Sequence, residues 1–125
     1  MEHKIHVTAA DINIDRYDLC IVLGNLLDNA IEAAQQVSGI GSRFIHLHIH
    51  SNNNALVIYV GNSMADPSPS ELQSRKENPW LHGIGLSNVQ RTADKYGGHL
   101  KTTAKTGEFE TVVVLPFPKI SGPNK

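Results

Sequence analysis

Apolar and polar residues alternate at the start of the chain, where Ile5 and Val7 share one side of an extended backbone, so residues 3–7 are predicted to form a short strand. The spacing then lengthens. From Asp15 to about Val37, the residues Leu19, Val22, Leu23, Leu26, Ala30, Ala33 and Val37 recur at steps of three and four, the period of a helix with one buried face. The carboxylate of Asp15 can cap its first N–H groups, and the helix should stop before the Gly-rich residues 38–42. Two-residue alternation returns in residues 44–51 and 55–60, and the polar run Ser51-Asn52-Asn53-Asn54 between them predicts a hairpin. A second helix over residues 85–96 places Leu86, Val89 and Ala93 on one face, with Gly97-Gly98 as its stop. Residues 99–105 and 109–115 form a second predicted hairpin around Thr106-Gly107, before a Pro-containing end.

The segment between the first hairpin and the second helix breaks this rhythm. Pro67, Pro69 and Pro79 interrupt any regular structure, and a connection longer than ~12–15 residues is usually functional or disordered.

A chain of 125 residues with 40% hydrophobic residues suits one domain with a single core, expected over residues 1–118, with a flexible tail at 119–125. The formal net charge of −1 gives no strong field toward nucleic acid or an anionic membrane surface, so neither is an expected partner. No apolar run approaches the ~20 residues of a membrane helix, and the charged start lacks the hydrophobic region of a signal peptide, so a cytoplasmic location is expected. The lone Cys20 excludes an internal disulfide and, in its apolar stretch, reads as a small buried hydrophobe in a reducing compartment.

Four groups of residues are chemical candidates. His46, His48 and His50 alternate along one strand, which invites a metal. Their same-face spacing of ~6.6–6.8 Å suits one tetrahedral ion poorly, and Leu47 and Ile49 on the opposite face fit a sheet with helices on one side and water on the other. Asn25 and Asn29, four apart on the first helix, share a stripe with Glu32 at the edge of the apolar face; it is either a solvated face or a set of amide oxygens able to hold a hard cation such as Mg²⁺. The glycines of His82-Gly83-Ile84-Gly85, directly before a helix, allow close approach of a ligand to free N–H groups that attract phosphate, or else they only relieve a turn. Asn62, at the end of a strand, can hydrogen-bond a base edge or serve as an ordinary turn residue.

In this order, residues 25–33, 60–63 and 82–98 resemble the N, G1 and G2 boxes of the GHKL ATP-binding domain, shared by gyrase, a heat-shock chaperone, sensor histidine kinases and a mismatch-repair ATPase. Residues 109–116 resemble its terminal strand, so that the likeness covers roughly residues 4–117. It is nearest to the catalytic domains of AgrC-like, quorum-sensing sensor kinases, where a lysine such as Lys76 precedes the glycine motif and an Asn-Ser pair stands for the usual acidic sequence. The resemblance implies a two-layer α/β (α+β) sandwich of Bergerat type, a mixed sheet with helices on one face, with residues 64–82 as the ATP lid.

By the same resemblance, ATP and Mg²⁺ are the cofactors, Asn29 binds Mg²⁺ with Asn25 nearby, and Gly83 and Gly85 admit the triphosphate. His82, Ile84, Leu86 and Ser87 complete the phosphate-binding turn, Lys76 is a phosphate contact, Asn62 takes the adenine-reading place, and Thr111 is a further cofactor-binding residue. Asn25 stands where ATP-hydrolysing relatives and anti-sigma serine kinases have a glutamate. An amide cannot activate water, whereas a histidine acceptor brings its own nucleophilic nitrogen, so the resemblance favours a histidine kinase. None of the seven histidines sits in an acceptor helix followed by an acid. The implied partners are therefore a histidine-bearing dimerisation domain of a homodimeric, membrane-anchored parent and a downstream response regulator. A partner-switching serine kinase and a nucleotide-binding module without catalysis are the alternatives.

Overall fold

A computed structural model of the chain describes residues 2–6, 13–65 and 84–118. Their elements run β1 (Glu2–His6), α1 (Arg16–Gln35), a 3-10 turn at Ile40–Ser42, β2 (Ile45–Ser51), β3 (Ala55–Ser63), α2 (Ile84–Lys95), β4 (His99–Lys105) and β5 (Glu108–Pro116). The five strands form one mixed sheet in the order β1-β2-β3-β5-β4. All neighbours are antiparallel except β1, which pairs in parallel with β2.

Local chemistry sets the element ends. Asp15 caps α1 by accepting hydrogen bonds from the N–H groups of Tyr17 at 2.8 Å and Asp18 at 3.4 Å. Asn52 closes the β2–β3 turn, its side-chain oxygen accepting from the N–H groups of Asn54 at 2.7 Å and Ala55 at 2.9 Å. The last turn of α2 is satisfied in the manner of a Schellman motif, with the Gly98 N–H donating to the Ala93 carbonyl at 2.8 Å and the Gly97 N–H to that of Asp94 at 3.0 Å. Gly97 takes φ +74°, which explains why glycine follows this helix.

Both helices cover one face of the sheet. Val22, Leu26 and Ala30 of α1 and Val89 and Ala93 of α2 are buried against Leu47, Ile49, Leu56, Ile58, Val60, Val113 and Leu115. Alternation along β2, β3 and β5 supplies these residues from one side of each strand, as expected from the sequence. The opposite face is polar and partly open. There His50 is exposed, His48 lies against the Tyr59 ring at 5.5 Å, and the Tyr59 hydroxyl donates to Glu110 at 3.0 Å. Burial, then the neighbouring carboxylate of Glu110, pushes the Tyr59 phenol up to about 12.

Two expectations need correction. Cys20 is exposed, not buried. The buried stripe of α1 runs through Val22, Leu26, Ala30 and Ala34, and Cys20 falls on the outward side with the exposed Tyr17 and Ile21. The second correction concerns β3, which continues three residues beyond Val60. Gly61, Asn62 and Ser63 pair with Glu110, Phe109 and Glu108 of β5, so the strand is longer than residues 55–60, while Asn62 stands near its end as expected and not in a turn. Val7, residues 66–82 of the expected lid at 64–82, Gly83 and the tail 119–125 lie outside the described residues.

Candidate nucleotide site

Asn25 and Asn29 stand one turn apart on the flank of α1, both half-buried, between its buried stripe and its outward side. The two amides are held differently. Asn25 Nδ2 donates to the carbonyl of Ile21 at 2.7 Å, which fixes the ring-free amide plane and leaves its oxygen as the outward acceptor. A Cβ built on Gly85 would stand 3.0 Å from that oxygen, so the first turn of α2 approaches Asn25 about as closely as a glycine allows. Among the described residues Asn29 Nδ2 is buried without a hydrogen-bond partner. None of them fixes which way this amide faces, so presenting its oxygen to a ligand would break no hydrogen bond among them. A buried polar group that the fold does not use is costly and calls for an explanation, of which a bound ligand is one.

The described residues therefore fit a hard cation and its phosphates in two respects. Asn25 and Asn29 are neutral oxygen donors of the type Mg²⁺ accepts beside phosphate, and Gly85 leaves room where a side chain would collide with Asn25. The N–H groups of the first turn of α2, at Ile84, Gly85, Leu86 and Ser87, have no carbonyl within that helix to bond, and such a turn favours anions. Leu86 packs against the core, and Ser87 is half-buried.

Asn62 and Thr111 lie on the helix-covered face of the sheet, 3% and 4% exposed. Asn62 pairs with Phe109, and Val60 pairs with Thr111, so Asn62 and Thr111 are diagonal neighbours on adjacent strands. Asn62 Nδ2 donates to the carbonyl of Ser63 at 2.9 Å, which orients the amide and leaves its oxygen to accept from a ligand donor such as an exocyclic amine. Thr102 and Ala104 of β4 continue this face and are exposed, opening it to solvent beside Thr111. The structure thus brings Asn25 to Gly85 and Asn62 to Thr111. Lys76, His82 and Gly83 lie outside the described residues.

A third cluster, at the other end of the helix pair, was not singled out from the sequence. Asp18 of α1 accepts from Lys95 Nζ at 2.8 Å and from the Tyr96 hydroxyl, which itself accepts from the Asp15 N–H at 3.0 Å. Hydrogen bonds from Lys95 and Tyr96 hold the Asp18 carboxyl below its ordinary value of 3.8, against the opposing effect of burial. The same contact holds Lys95 above 10.5, while burial and then Asp18 hold the Tyr96 phenol above 10.0. The available signal was spacing, since Asp18, Asn25 and Asn29 at i, i+7 and i+11 share one side of a helix.

A family model described as the GHKL domain matches residues 14–116. Over 115 residues the chain is 27% identical to the sensor histidine kinase DpiB of Escherichia coli (strain K12), covering 86% of this chain and 20% of that protein. It therefore spans about a fifth of that relative's length. Among solved structures, a nucleotide-free catalytic domain of histidine kinase ThkA superposes with a TM-score of 0.66 at 26% identity, covering 94% of this chain and 81% of that one. The Acinetobacter baumannii histidine kinase AdeS has the same TM-score of 0.66 at 14% identity, over 94% of this chain and 54% of that one, a likeness of fold.

Proposed function

The chain belongs to the GHKL family of ATP-binding domains, and on that premise we propose that it is the catalytic domain of a two-component sensor histidine kinase. It transfers the γ-phosphoryl group of ATP to a histidine on a separate dimerisation domain of its parent, which then serves a response regulator. The parent is a homodimer anchored in the cell membrane, with this domain on the cytoplasmic side. No described helix of the chain itself is long and apolar enough to cross a membrane.

The observation that carries the reading is the meeting of Asn25 and Gly85 beside the unpartnered amide of Asn29. Asn29, with Asn25 next to it, would hold Mg²⁺, and Gly85, Leu86 and Ser87 would offer N–H groups to the triphosphate. When bound, Mg²⁺ supplies positive charge that offsets the charge of the phosphate oxygens. Asn62 and Thr111 would receive the adenine, with the Asn62 oxygen accepting from its amino group. Lys76, His82 and Gly83 belong to the same proposal as lid-side phosphate contacts.

Asn25 decides the acceptor. Its amide nitrogen is committed to Ile21 and its oxygen has no useful basicity, so nothing at this position takes a proton from water or a hydroxyl. A neutral imidazole needs no such help. The residues of this domain bind, orient and exclude water, and the acceptor provides the nucleophile. The Asn62-Ser63 pair, with Lys76 ahead of the glycine motif, favours the AgrC-like branch.

The test combines calorimetric titration of Mg-ATP with radiolabelled ATP and the dimerisation helices of the parent protein. The expected outcome is binding by the chain alone, very slow hydrolysis, no self-labelling, and acid-labile label on the helices. Acid-stable label would identify a serine kinase, and tight binding with no transfer would identify a module without catalysis.

A further inference from the structure

We propose that Asp18, Lys95 and Tyr96 are positioning residues for triphosphate binding: by fastening the C-terminal end of α2 to the first turn of α1, they hold the N-terminal turn of α2 in register with Asn25 and Asn29. The inference rests on the reading of the nucleotide site given above.

The two helices run antiparallel on the sheet, since Asp18 meets Lys95 and Tyr96 at one end and Asn25 meets Gly85 at the other. Asp18 and Asn25 share a stripe of α1 and are separated by seven residues, roughly 10 Å of helix. Between these ends α2 meets the core through Val89 and Ala93, both fully buried, and the partly buried Leu86. Burial of such short apolar side chains keeps the helices together, but it is non-directional and resists sliding or rotation of α2 weakly. Directed hydrogen bonds resist both.

The cluster has the composition of such a fastening. The Asp18 side chain is only 11% exposed, and it accepts from two donors contributed by α2 and its cap. The Tyr96 hydroxyl also accepts from the main chain at the N-cap of α1, so it bonds to both the side chain and the backbone of that turn. Charges are placed to suit both helix dipoles, with an aspartate in the first turn of α1 and a lysine in the last turn of α2. A triphosphate held by N–H groups of one helix and a cation held by amides of another requires the two helix surfaces to stay within a fraction of an ångström of their working positions. Adenine, held on the sheet by Asn62 and Thr111, has no such requirement.

That asymmetry gives the test. Affinities for Mg-ATP and for adenosine are measured by NMR titration well below the melting temperature for the wild-type chain and for Tyr96→Phe, Asp18→Ala, Asp18→Asn and Lys95→Gln. Tyr96→Phe should weaken Mg-ATP about 5-fold, as expected for one lost hydrogen bond, and leave adenosine within about twofold. Asp18→Ala should lose more, and Asp18→Asn, which keeps an acceptor, should restore part of that loss. A parallel loss for both ligands would mean general destabilisation and overturn the proposal, as would unchanged affinity for both. Should Asp18→Ala fail to fold, Lys95→Gln, altered at a side chain that is 61% exposed, still decides by the same ratio. Wild-type chain that binds no Mg-ATP would sink the nucleotide-site reading and the positioning role with it, whereas wild-type binding with an unmoved ratio in every variant would sink the positioning role alone.

Discussion

The two ends of the α1–α2 pair contain polar residues from the same side of α1, yet they treat them in opposite ways. At one end the Asp18 carboxylate is engaged by Lys95 and Tyr96, and the tyrosine hydroxyl is engaged again by the backbone. At the other, among the described residues, the amide of Asn29 has a buried nitrogen without a partner, Asn25 keeps its oxygen pointed at Gly85, and no hydrogen bond across the gap closes the pair. Buried polar groups cost free energy unless satisfied, so the first end contributes to stability and the second withholds it. Within one helix pair, satisfaction marks the part that holds the fold, and its absence marks the part that we propose takes the nucleotide.

Removing Asn29 should separate the two ends most sharply. Asn29→Ala is expected to weaken Mg-ATP on the order of 100-fold, since a lost ligand to a charged group costs ~2–3 kcal/mol, with no loss of stability. It should even gain up to ~0.7 kcal/mol, because alanine is the better helix former and no hydrogen bond is given up. Calorimetric titration and urea denaturation on the same sample check both halves, and unchanged affinity would remove Asn29 from the site.

The converse experiment is Asp18→Ala. Two donors lose their acceptor, and urea denaturation should show a loss of ~1–3 kcal/mol. A change within error would mean that the cluster is solvated in solution.

Gly85→Ala probes the gap itself. The new methyl group would press on the Asn25 oxygen at 3.0 Å, and Mg-ATP should bind about 10-fold more weakly, or ~1.4 kcal/mol, without unfolding the protein. Gly24→Ala is its control on the outward side of α1, where an added Cβ meets nothing within 4 Å. It should stabilise the chain by ~0.5–1 kcal/mol and leave nucleotide affinity alone.

The smallest effect is a matter of pH. Asp18 has a folded pKa below its ordinary 3.8, so its contribution is complete above about pH 4 and is lost as the pH falls through the folded value. Lys95 and Tyr96 are raised above 10.5 and 10.0, so their contributions are complete below those values and are lost as the pH rises through the folded ones. The stability difference between wild type and Asp18→Ala should therefore be flat through the neutral range and shrink toward both extremes in urea titrations. A slope between pH 6 and 8 would contradict the assignment.

Much of the fold follows from local pattern. The three- and four-residue spacing on α1, the alternation in β2, β3 and β5, the Asp15 cap and the Gly97 stop each act through neighbouring residues, so they were legible without any partner element. The Asn25–Asn29 interval and a glycine at the start of α2, Gly85, were legible for the same reason, as a helical interval and a local motif. Cys20 was misread because an apolar stretch longer than one face cannot say which of its residues turns outward; only packing against Leu56 and Ile58 selects Val22 and Leu26 for the core. The end of β3 escaped because Gly-Asn-Ser carries a turn signature, and it becomes strand through pairing with Glu108–Glu110 nearly fifty residues away. The contact of Asn25 with Gly85 and the engagement of Asp18 by Lys95 and Tyr96 likewise join residues sixty or more apart. Sequence determined which side chains each helix could present, because periodicity is a local property of the backbone. Tertiary structure decided which of them were satisfied and which were not, because that depends on what the opposing helix brings within hydrogen-bonding distance.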